Sequence, residues 1–276
     1  MTNPQDLTDY DKFNYDYSKY WKNREYEHAA EQYAFSSLIK NVEGNWFIDI
    51  GGSYGRHLNI YQGNFNNKII CDYSIKSLEK AKQTITKNKS KNVFLVAANA
   101  YNLPFKDGVF DGISLIRVIH HIENVPKLLN EISRINSKSG YLFLEYANKN
   151  NIKAVIRALL RFDFLFSFDR NPIKQETKGS CEGTDSKTEG IIFNFNPKWI
   201  KSQIVSHGYR TLNKQSVSFL RIPWLKQKIS PITMLKLEIL LQKTFGWSNL
   251  SPSTFLEFRK QTGKSVHCNN IEDILV

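Results

Sequence analysis

The sequence predicts an α/β fold whose core is a doubly wound, mostly parallel, seven-stranded sheet with helical insertions after the fifth and sixth strands. Between residues 45 and 148, short apolar runs typical of buried strands alternate with helical patterns. Helical crossovers of this length join parallel strands, whereas antiparallel neighbours need only a short turn. Two further strand patterns lie between residues 190 and 260, and they bring the number of strands to seven.

Apolar spacing assigns the individual elements in order. Strands are predicted at residues 45–50, 68–73, 92–99, 111–120, 141–148, 211–220 and 253–260. Helices are predicted at residues 20–41, from about residue 56, and at 74–88, 125–136, 150–168, 196–209 and 229–246. Residues 174–190 have no apolar pattern and are predicted to form a mobile surface loop.

These elements divide the chain into three expected parts. Residues 1–44 form an N-terminal helical cap, residues 45–260 the main α/β domain, and residues 261–276 a C-terminal tail. The main domain carries insertions at about residues 150–190 and 221–250, where the regular alternation is interrupted.

The composition is that of a chain with a substantial core, because 41% of the residues are hydrophobic and 13% are aromatic. No apolar run reaches the roughly 18 residues needed to span a bilayer. The N-terminus lacks the basic-then-apolar order of a signal peptide, so a cytoplasmic location is expected. Cys71, Cys181 and Cys268 form no CxxC pair, so neither a disulfide framework nor a metal site is predicted.

The net charge of +12 is concentrated in the second half of the chain. Residues 150–260 contain 18 Lys and Arg against 8 Asp and Glu, whereas residues 1–149 contain 19 against 16. Two interpretations stay open: an ordinary lysine-rich surface, or a face that meets an anionic substrate or an anionic surface.

The stretch FIDIGGSYGRHLNIY places an acid, Asp49, at the end of the first strand and continues into a glycine-rich turn. Glycines let the backbone approach a ligand closely and adopt positive φ angles. In an open parallel sheet, ligands bind beyond the carboxyl ends of the strands, near the point where the strand order reverses. The dinucleotide fingerprint G-x-G-x-x-G is not satisfied, since positions 53 and 56 are Ser53 and Arg56. The pattern present is D-x-G-x-x-x-G, formed by Asp49, Gly51 and Gly55.

A second acid, Asp72, closes the second predicted strand. An acid at that place can accept hydrogen bonds from both ribose hydroxyls of an adenosine group. The helix expected after the glycine turn would begin with unsatisfied N–H groups that favour a carboxylate or a phosphate. These features predict a site for a nucleotide-like cofactor, with Asp49 as a simple helix cap being the alternative.

The motifs and their order resemble those of the class I S-adenosylmethionine-dependent methyltransferases, of the broad type 11 group. D-x-G-x-x-x-G resembles their first motif, and CDYS, which contains Asp72, resembles the motif of the ribose-binding acid. LPF, FD, a His-His pair and a glycine before the fifth strand then follow in the order of the family. The resemblance covers residues 45–148 well and 190–260 loosely, and it implies S-adenosylmethionine as the cofactor.

The resemblance also implies which residues contact that cofactor. Asp49 would lie near the amino group of the methionine moiety, Asp72 would bind the ribose, and Tyr73 would pack beside the adenine. Asn99 and Ala100 would lie at the polar edge of the adenine. The positions implied to contact the methionine moiety through their backbone are Gly51, Gly52, Ser53 and Gly55.

The chain departs from the family pattern at two of these positions. Ser53 stands where the pattern has its middle glycine, and a serine is small enough to be tolerated there. Asn99 stands where the pattern has an acid. Its amide oxygen can still accept from the adenine amino group, but without a charge.

Methyl transfer to an acceptor that carries a proton needs a base. The candidates are His120, His121 and Glu145, which the predicted fourth and fifth strands place at their carboxyl ends. The His pair as a capping and packing feature is an equally open interpretation. Arg117 is expected to be a structural or interface residue.

The acceptor chamber is expected to be built by the parts outside the sheet. These are the N-terminal helix, the insertion at 150–190 and the segment 221–247, of which the last two are apolar on one side and basic on the other. They would be core helices, a lid over a hydrophobic or anionic small molecule, or a shallow contact with a membrane surface. The candidate substrate residues on the N-terminal helix are Tyr15, Tyr17, Tyr20, Trp21 and Arg24.

The sequence therefore predicts an enzyme that transfers a methyl group from S-adenosylmethionine to a small-molecule acceptor, hydrophobic or anionic. The alternatives are a non-catalytic binding protein of the same fold and a methyltransferase acting on RNA or protein. No recognisable nucleic-acid-binding module accompanies the basic half. The sequence sets neither the acceptor nor the oligomeric state.

Overall fold

The computed structural model describes residues 17–180 and 187–276. Their strands are β1 (Gly44–Ile50), β2 (Phe65–Asp72), β3 (Val93–Ala97), β4 (Phe110–Leu115), β5 (Asn136–Ala147), β6 (Ile173–Ser180), β7 (Lys187–Asn194), β8 (Tyr209–Val217) and β9 (Ser253–Lys260). Their helices are α1 (Glu25–Ile39), α2 (Leu58–Tyr61), α3 (Ile75–Asn88), α4 (Val125–Ile135), α5 (Ile152–Leu160), α6 (Pro197–Ser206), α7 (Pro223–Lys228), α8 (Pro231–Phe245) and α9 (Ile271–Ile274). No helix among these residues is long and apolar enough to cross a membrane.

Seven strands form one sheet in the order β3-β2-β1-β4-β5-β9-β8. Neighbours from β3 to β5 pair in parallel, and β9 is antiparallel to both β5 and β8. The predicted doubly wound, mostly parallel, seven-stranded sheet is confirmed. The strand order reverses between β1 and β4, so a crevice opens at the carboxyl ends of these two strands.

Helices cover both faces of the sheet, which explains why its central strands are mostly apolar and do not alternate with polar residues. On one face α1 and α8 pack together, and on the other α4 packs beside α6. The stripe of Leu128, Leu129 and Ile132 on α4 is fully buried, because residues three and four apart lie on one side of a helix. The two cores hold the crevice between rigid layers.

Three helices are shorter than predicted. The helix expected at 20–41 begins at Glu25, because Asn23 has a left-handed φ of 62° and separates α1 from a 3₁₀ turn at Tyr17–Trp21. The helix expected from residue 56 is the single turn α2. The helix expected at 150–168 ends at Leu160, just before Phe162 takes a φ of 59°.

The prediction of a loop is wrong for residues 174–180 and 187–190, because β6 and β7 pair as antiparallel strands apart from the main sheet. Their pairing is made by backbone hydrogen bonds, which need no apolar alternation. The insertion after the fifth strand therefore holds a hairpin as well as a helix. Residues 181–186, including Cys181, lie outside the described residues.

The segment after β9, predicted to be a tail, packs back onto the domain. Ile274 is fully buried, and its carbonyl accepts from the Lys106 N–H at 2.9 Å. The Trp46 indole N–H donates to the Cys268 carbonyl at 2.7 Å. Since Trp46 lies near the start of β1, this contact is at the end of the sheet opposite the crevice. The boundaries between the three expected parts stay predictions.

Candidate active site

A cavity opens at the carboxyl ends of β1, β2 and β4, where the strand order reverses. It encloses about 1020 Å³, counted out to the open side. Residues 51–53 of the glycine turn and Asp72 line one part of it, and Arg117 and His121, which follow β4, line another. Tyr17 of the N-terminal 3₁₀ turn also contributes to the wall. The fold thus brings three separate stretches of sequence to one place.

The glycine turn needs its glycines for conformation and for space. Gly51 and Gly55 have φ angles of 69° and 77°, in the left-handed region. A Cβ atom on Gly51 would lie 2.3 Å from the Cγ2 of Val118, so no side chain fits. Ser53 also has a positive φ, 49°, at a cost of about 1 kcal/mol for a non-glycine residue. Its N–H donates to the Asp72 carboxylate at 2.8 Å, which compensates that cost.

Asp72 ties the glycine turn to the next helix. Its Oδ2 accepts from the Ser53 N–H, and its Oδ1 accepts from the Ser74 N–H at 2.9 Å. Ser74 caps α3, as the sequence predicts, since its Oγ accepts from the Ser77 N–H at 3.0 Å. The carboxylate therefore holds two walls of the cavity in register.

Asp49 is a buried acid at the end of β1. Its Oδ1 accepts from the Ser114 hydroxyl at 2.6 Å, and its Oδ2 accepts from the Tyr61 hydroxyl at 3.4 Å. Burial raises the pKa of the Asp49 carboxyl to about 6, against the hydrogen bond from Ser114, which lowers it. The alternative that Asp49 caps the following helix is wrong, because the start of α2 has no side-chain cap.

The turn does not present the row of N–H donors that the sequence predicts at the start of a helix. The N–H groups of Gly51 and Gly52 both donate to the Cys71 carbonyl, at 2.7 and 3.2 Å. The helix that follows, α2, has only four residues. An anionic group in the cavity must instead meet the side chains of Arg56 and Arg117, which both line it.

The wall beyond β2 and β3 combines an exposed ring with small residues. Tyr73 and Ala100 line the cavity, and the Tyr73 side chain is 47% exposed. Asn99 is not on the lining, since its Oδ1 accepts from the Tyr101 N–H of its own loop at 2.9 Å. The role at the adenine edge that the family resemblance implies for Asn99 therefore disagrees with this arrangement.

Of the three candidate bases, His121 lines the cavity. β4 ends at Leu115, and His120 and His121 lie in a 3₁₀ turn behind it, not on the strand as predicted. The His120 ring is buried 4.2 Å from the His121 ring, and burial lowers its pKa well below the usual range. Glu145 accepts from the Arg117 N–H at 3.0 Å and from the Ser253 hydroxyl at 2.6 Å, and it lies off the cavity wall.

The N-terminal candidates divide between two places. Tyr17 lines the cavity and stacks on Tyr20 at 5.6 Å between ring centroids. The Tyr20 hydroxyl accepts from Arg117 at 2.7 Å and from Arg24 at 3.0 Å, so it acts as a bridge. Arg24 lies in a separate cleft on the other side of this bridge. Tyr15 lies outside the described residues.

A buried charge cluster that the sequence reasoning missed stands behind the cavity. Glu31 on α1, only 1% exposed, pairs with Arg56 and Arg117, each at 2.8 Å. Burial raises the pKa of the Glu31 carboxyl, but the two guanidinium groups outweigh it and hold that pKa below its usual range. The Arg56 guanidinium also lies 4.0 Å from the ring centroid of Trp21. One feature of the sequence indicates this cluster: Glu31 is an acid on the apolar face of a helix, next to Ala30.

A family model described as a methyltransferase domain matches residues 48–144 of the chain. These residues span β1 to β5 and include the glycine turn, Asp72 and the His pair. Over these residues the chain is similar to a methyltransferase domain, and its fold is that of the class I S-adenosylmethionine-dependent methyltransferases.

Relatives and solved structures extend the likeness beyond this domain. An uncharacterised protein of Methanocaldococcus jannaschii is 36% identical over 156 residues, which are 56% of this chain and 57% of that protein. The ubiquinone/menaquinone biosynthesis C-methyltransferase of Rickettsia prowazekii is 25% identical over 160 residues, 57% of this chain and 62% of that protein. The chain spans between 43% and 57% of the length of the first three curated relatives it matches.

The structure of an S-adenosylmethionine-dependent methyltransferase from Thermotoga maritima superimposes with a TM-score of 0.58. The match covers 91% of this chain and 98% of that one at 16% sequence identity. At this identity the likeness concerns the fold alone, and it includes parts outside residues 48–144.

The methyltransferase domain has the chemistry to hold S-adenosylmethionine. The buried Asp49 suits the methionine amino group, and the Asp72 carboxylate, which has about four acceptor positions, suits the ribose hydroxyls. The space that a side chain on Gly51 would fill is kept clear for the backbone to approach the ligand. Arg56, at the cavity wall, would supply a cation for the cofactor's carboxylate.

The sequence reasoning also missed His57. It lines the cavity, is 4% exposed, and neither of its ring nitrogens has a hydrogen-bond partner among the described residues. Burial lowers its pKa well below the usual range, so the ring is neutral at pH 7. A buried polar group without a partner costs about 1–3 kcal/mol, which a bound ligand can recover. In the sequence nothing distinguishes His57 from a core residue.

Proposed function

We propose that the protein transfers a methyl group from S-adenosylmethionine to a small-molecule acceptor that is hydrophobic or anionic. The observation that carries this proposal is the continuity of the cavity. One wall holds the residues suited to the cofactor, Asp49 and Asp72, and the same space continues to Arg117, His121 and Tyr17. Donor and acceptor would therefore share one water-poor chamber.

Bound S-adenosylmethionine supplies a methyl group on a sulfonium centre, which a nucleophile attacks in line. The residues of the chain align the two molecules and take up the acceptor's proton. Among the proposed bases His121 is favoured, because it faces the chamber whereas His120 and Glu145 do not. Tyr17 of the N-terminal 3₁₀ turn adds an aromatic ring to the wall of the chamber, which reduces the space open to water.

Away from the wall that holds Asp49 and Asp72, the charge of the chamber favours an acceptor with an anionic group. Arg56 and Arg117 both line it, and they share the single carboxylate of Glu31. Glu145 accepts from the Arg117 N–H but lies off the wall of the chamber, and burial raises the pKa of its carboxyl. If the cofactor's carboxylate takes Arg56, Arg117 is left to face an acid or an ionised hydroxyl of the acceptor. The relative named for quinone biosynthesis adds support for a hydrophobic ring as the body of the acceptor.

The affinity for S-adenosylmethionine is expected to fall as the pH drops from 7 to 5. Burial raises the pKa of Asp49 to about 6, so below that pH the carboxyl is protonated and loses its attraction for the cofactor's amino group. One pH unit below the pKa only about a tenth of the groups are ionised, which predicts about a tenfold weaker affinity at pH 5. Calorimetric titration between pH 5 and 8 measures it.

The Asp49→Asn variant should bind more weakly and show no such dependence on pH. The variant His121→Ala keeps Asp49 and should keep the dependence, which tests whether Asp49 is its cause. A flat profile in the unaltered protein would contradict the assignment of Asp49.

The function itself is tested by incubating the protein with methyl-labelled S-adenosylmethionine and a metabolite extract. We expect label in one small acidic or phenolic product, and none when Asp72→Ala replaces the unaltered protein. Label in RNA or protein would replace the proposed acceptor class. Cofactor binding without any transfer would favour a binding protein, and no binding at near-millimolar cofactor would overturn the proposal.

A further inference from the structure

Helix α5 and the turn after it expose an unusual amount of apolar surface. Surface helices normally pack their apolar side against the core. In α5 only Ala158 is buried, whereas Leu160 is 76% exposed. The chain beyond the helix continues in the same way, with Phe162 80%, Leu165 74% and Phe168 76% exposed. We call the exposed apolar side chains of residues 152–168 the apolar ridge.

The side of α5 next to the apolar ridge faces a basic cleft. This cleft encloses about 1810 Å³, counted out to solvent, between α5, α7 and the start of α1. We define the basic cleft by six of the cations that line it, which are Lys22, Arg24, Lys153, Arg157, Arg161 and Arg221. Residues four apart share a side of a helix, so α5 places three of these cations in one row. The helix is thus basic on one side and apolar on the neighbouring side, with both sides unburied.

The basic cleft lacks the acids that would neutralise it. Arg157 and Arg161 form no ion pair with a carboxylate in residues 17–180 and 187–276. Two acids lie on its wall: Glu27, which is already paired with Lys226, and Asp163, a single carboxylate against the six cations. Burial and the neighbouring Arg221 and Arg157 lower the pKa of the Lys153 ammonium, a sign of crowded like charges. An anionic partner would relieve this crowding.

Two other occupants fit this surface less well. A second copy of the chain would bring the same cations against each other, and the like charges would repel. Single-stranded nucleic acid could stack its bases on the exposed phenylalanines of the apolar ridge, but it would leave the aliphatic Ile156, Leu159, Leu160 and Leu165 in water. An apolar ridge beside a row of cations matches the pattern of helices that lie in a membrane interface.

We propose that the apolar ridge and the basic cleft together dock the protein on an anionic phospholipid bilayer. The apolar ridge enters the interface between headgroups and acyl chains, and the cations of the basic cleft lie against the lipid phosphates. The docking surface lies next to the cavity of the domain, because Arg24 in the cleft and Arg117 in the cavity share the Tyr20 hydroxyl. The inference does not depend on which acceptor is methylated.

Co-sedimentation with lipid vesicles tests the proposal. The full chain is mixed with vesicles of phosphatidylcholine alone or of phosphatidylcholine with phosphatidylglycerol. Binding is expected to the anionic vesicles, to be much weaker to the neutral ones, and to decrease as salt screens the cations. The variant Arg157→Gln/Arg161→Gln should bind roughly 25-fold more weakly, at about fivefold for each cation removed.

The apolar contribution is tested with Phe164→Ser/Leu165→Ser, which should bind at least about tenfold more weakly. A matched control is Val205→Ser, at an exposed apolar position at the end of α6. This helix starts beside the end of β5 and runs toward the edge of the sheet that β8 forms. For the charge, Lys82→Gln/Lys87→Gln on α3 is the control. Both controls should bind like the unaltered protein, and all variants should keep their thermal unfolding midpoint.

Several results would overturn the inference. Equal binding to both kinds of vesicle would contradict the proposed role of the cations. Binding to neither kind would contradict docking on a bilayer. Equal losses in the controls and in the ridge and cleft variants would make the binding unspecific. A dimer in sedimentation velocity that Phe164→Ser/Leu165→Ser dissociates, without vesicle binding, would assign the surface to a second copy.

Discussion

Replacing Asp72 with alanine is expected to weaken S-adenosylmethionine binding by about 100-fold or more, the largest effect of any single change in the site. A hydrogen bond to a charged group contributes about 1.5–3 kcal/mol, and the ribose offers two hydroxyls to this carboxylate. The substitution also frees the Ser53 and Ser74 N–H groups, which the carboxylate holds at 2.8 and 2.9 Å. The glycine turn then loses its anchor to the end of β2.

Isothermal titration with S-adenosylmethionine measures the effect. Glu79→Ala is the matched control, because Glu79 is an exposed acid on α3, close in sequence, and should leave the affinity unchanged. Asp72→Asn keeps the size of the side chain and should fall between the two. An affinity within threefold of the unaltered protein for Asp72→Ala would reject the ribose assignment.

Replacing Glu31 with glutamine is expected to destabilise the fold by about 3–5 kcal/mol, the cost of leaving a buried partner charge without its counter-charge. Arg56 and Arg117 both depend on this carboxylate, with side chains 4% and 17% exposed. For a chain of this size such a loss lowers the unfolding midpoint by about 10 °C. The affinity for the cofactor should fall as well, since both arginines line the cavity.

The unfolding midpoint by calorimetry or circular dichroism measures this loss. Glu43→Gln, at an exposed acid, is the control and should unfold like the unaltered protein. The double variant Glu31→Gln/Arg56→Met removes one uncompensated cation and should recover part of the stability. Because the pKa of Glu31 is held low, its contribution is present above about pH 4.5 and is lost as the pH falls through the folded pKa. A midpoint for Glu31→Gln within 2 °C of the unaltered protein, at a precision set by the calorimeter, would falsify the structural role.

The sheet could be predicted because its information is local. Each central strand is a short, mostly apolar run, and the crossover helices carry an apolar stripe. The periodicity alone therefore assigns the strands and helices along the chain. The same holds for the Ser74 cap of α3, which needs only a serine before an apolar helix. The hairpin of β6 and β7 could not be predicted this way, because its strands pair through the backbone and carry no apolar alternation.

The residues proposed to bind the cofactor could be predicted for the same reason. Asp49, Gly51 and Asp72 stand at the ends of strands, and the ends of parallel strands meet at one edge of a sheet. The residues proposed to face the acceptor could not be predicted in this way. The pairing of Glu31 with Arg56 and Arg117 joins a helix to two loops that are distant in sequence.

The sequence by itself determined the parallel sheet, the glycine turn and the position of the two acids proposed to bind the cofactor, because each depends on residues adjacent in the chain or on strand ends that the topology aligns. Tertiary structure decided which candidates reach the cavity, His121 and Tyr17 but neither Glu145 nor Asn99. It also decided that α5 leaves its apolar side in solvent. These outcomes depend on which surfaces meet across the fold, and an amphipathic pattern has the same periodicity whether its apolar side is buried or exposed.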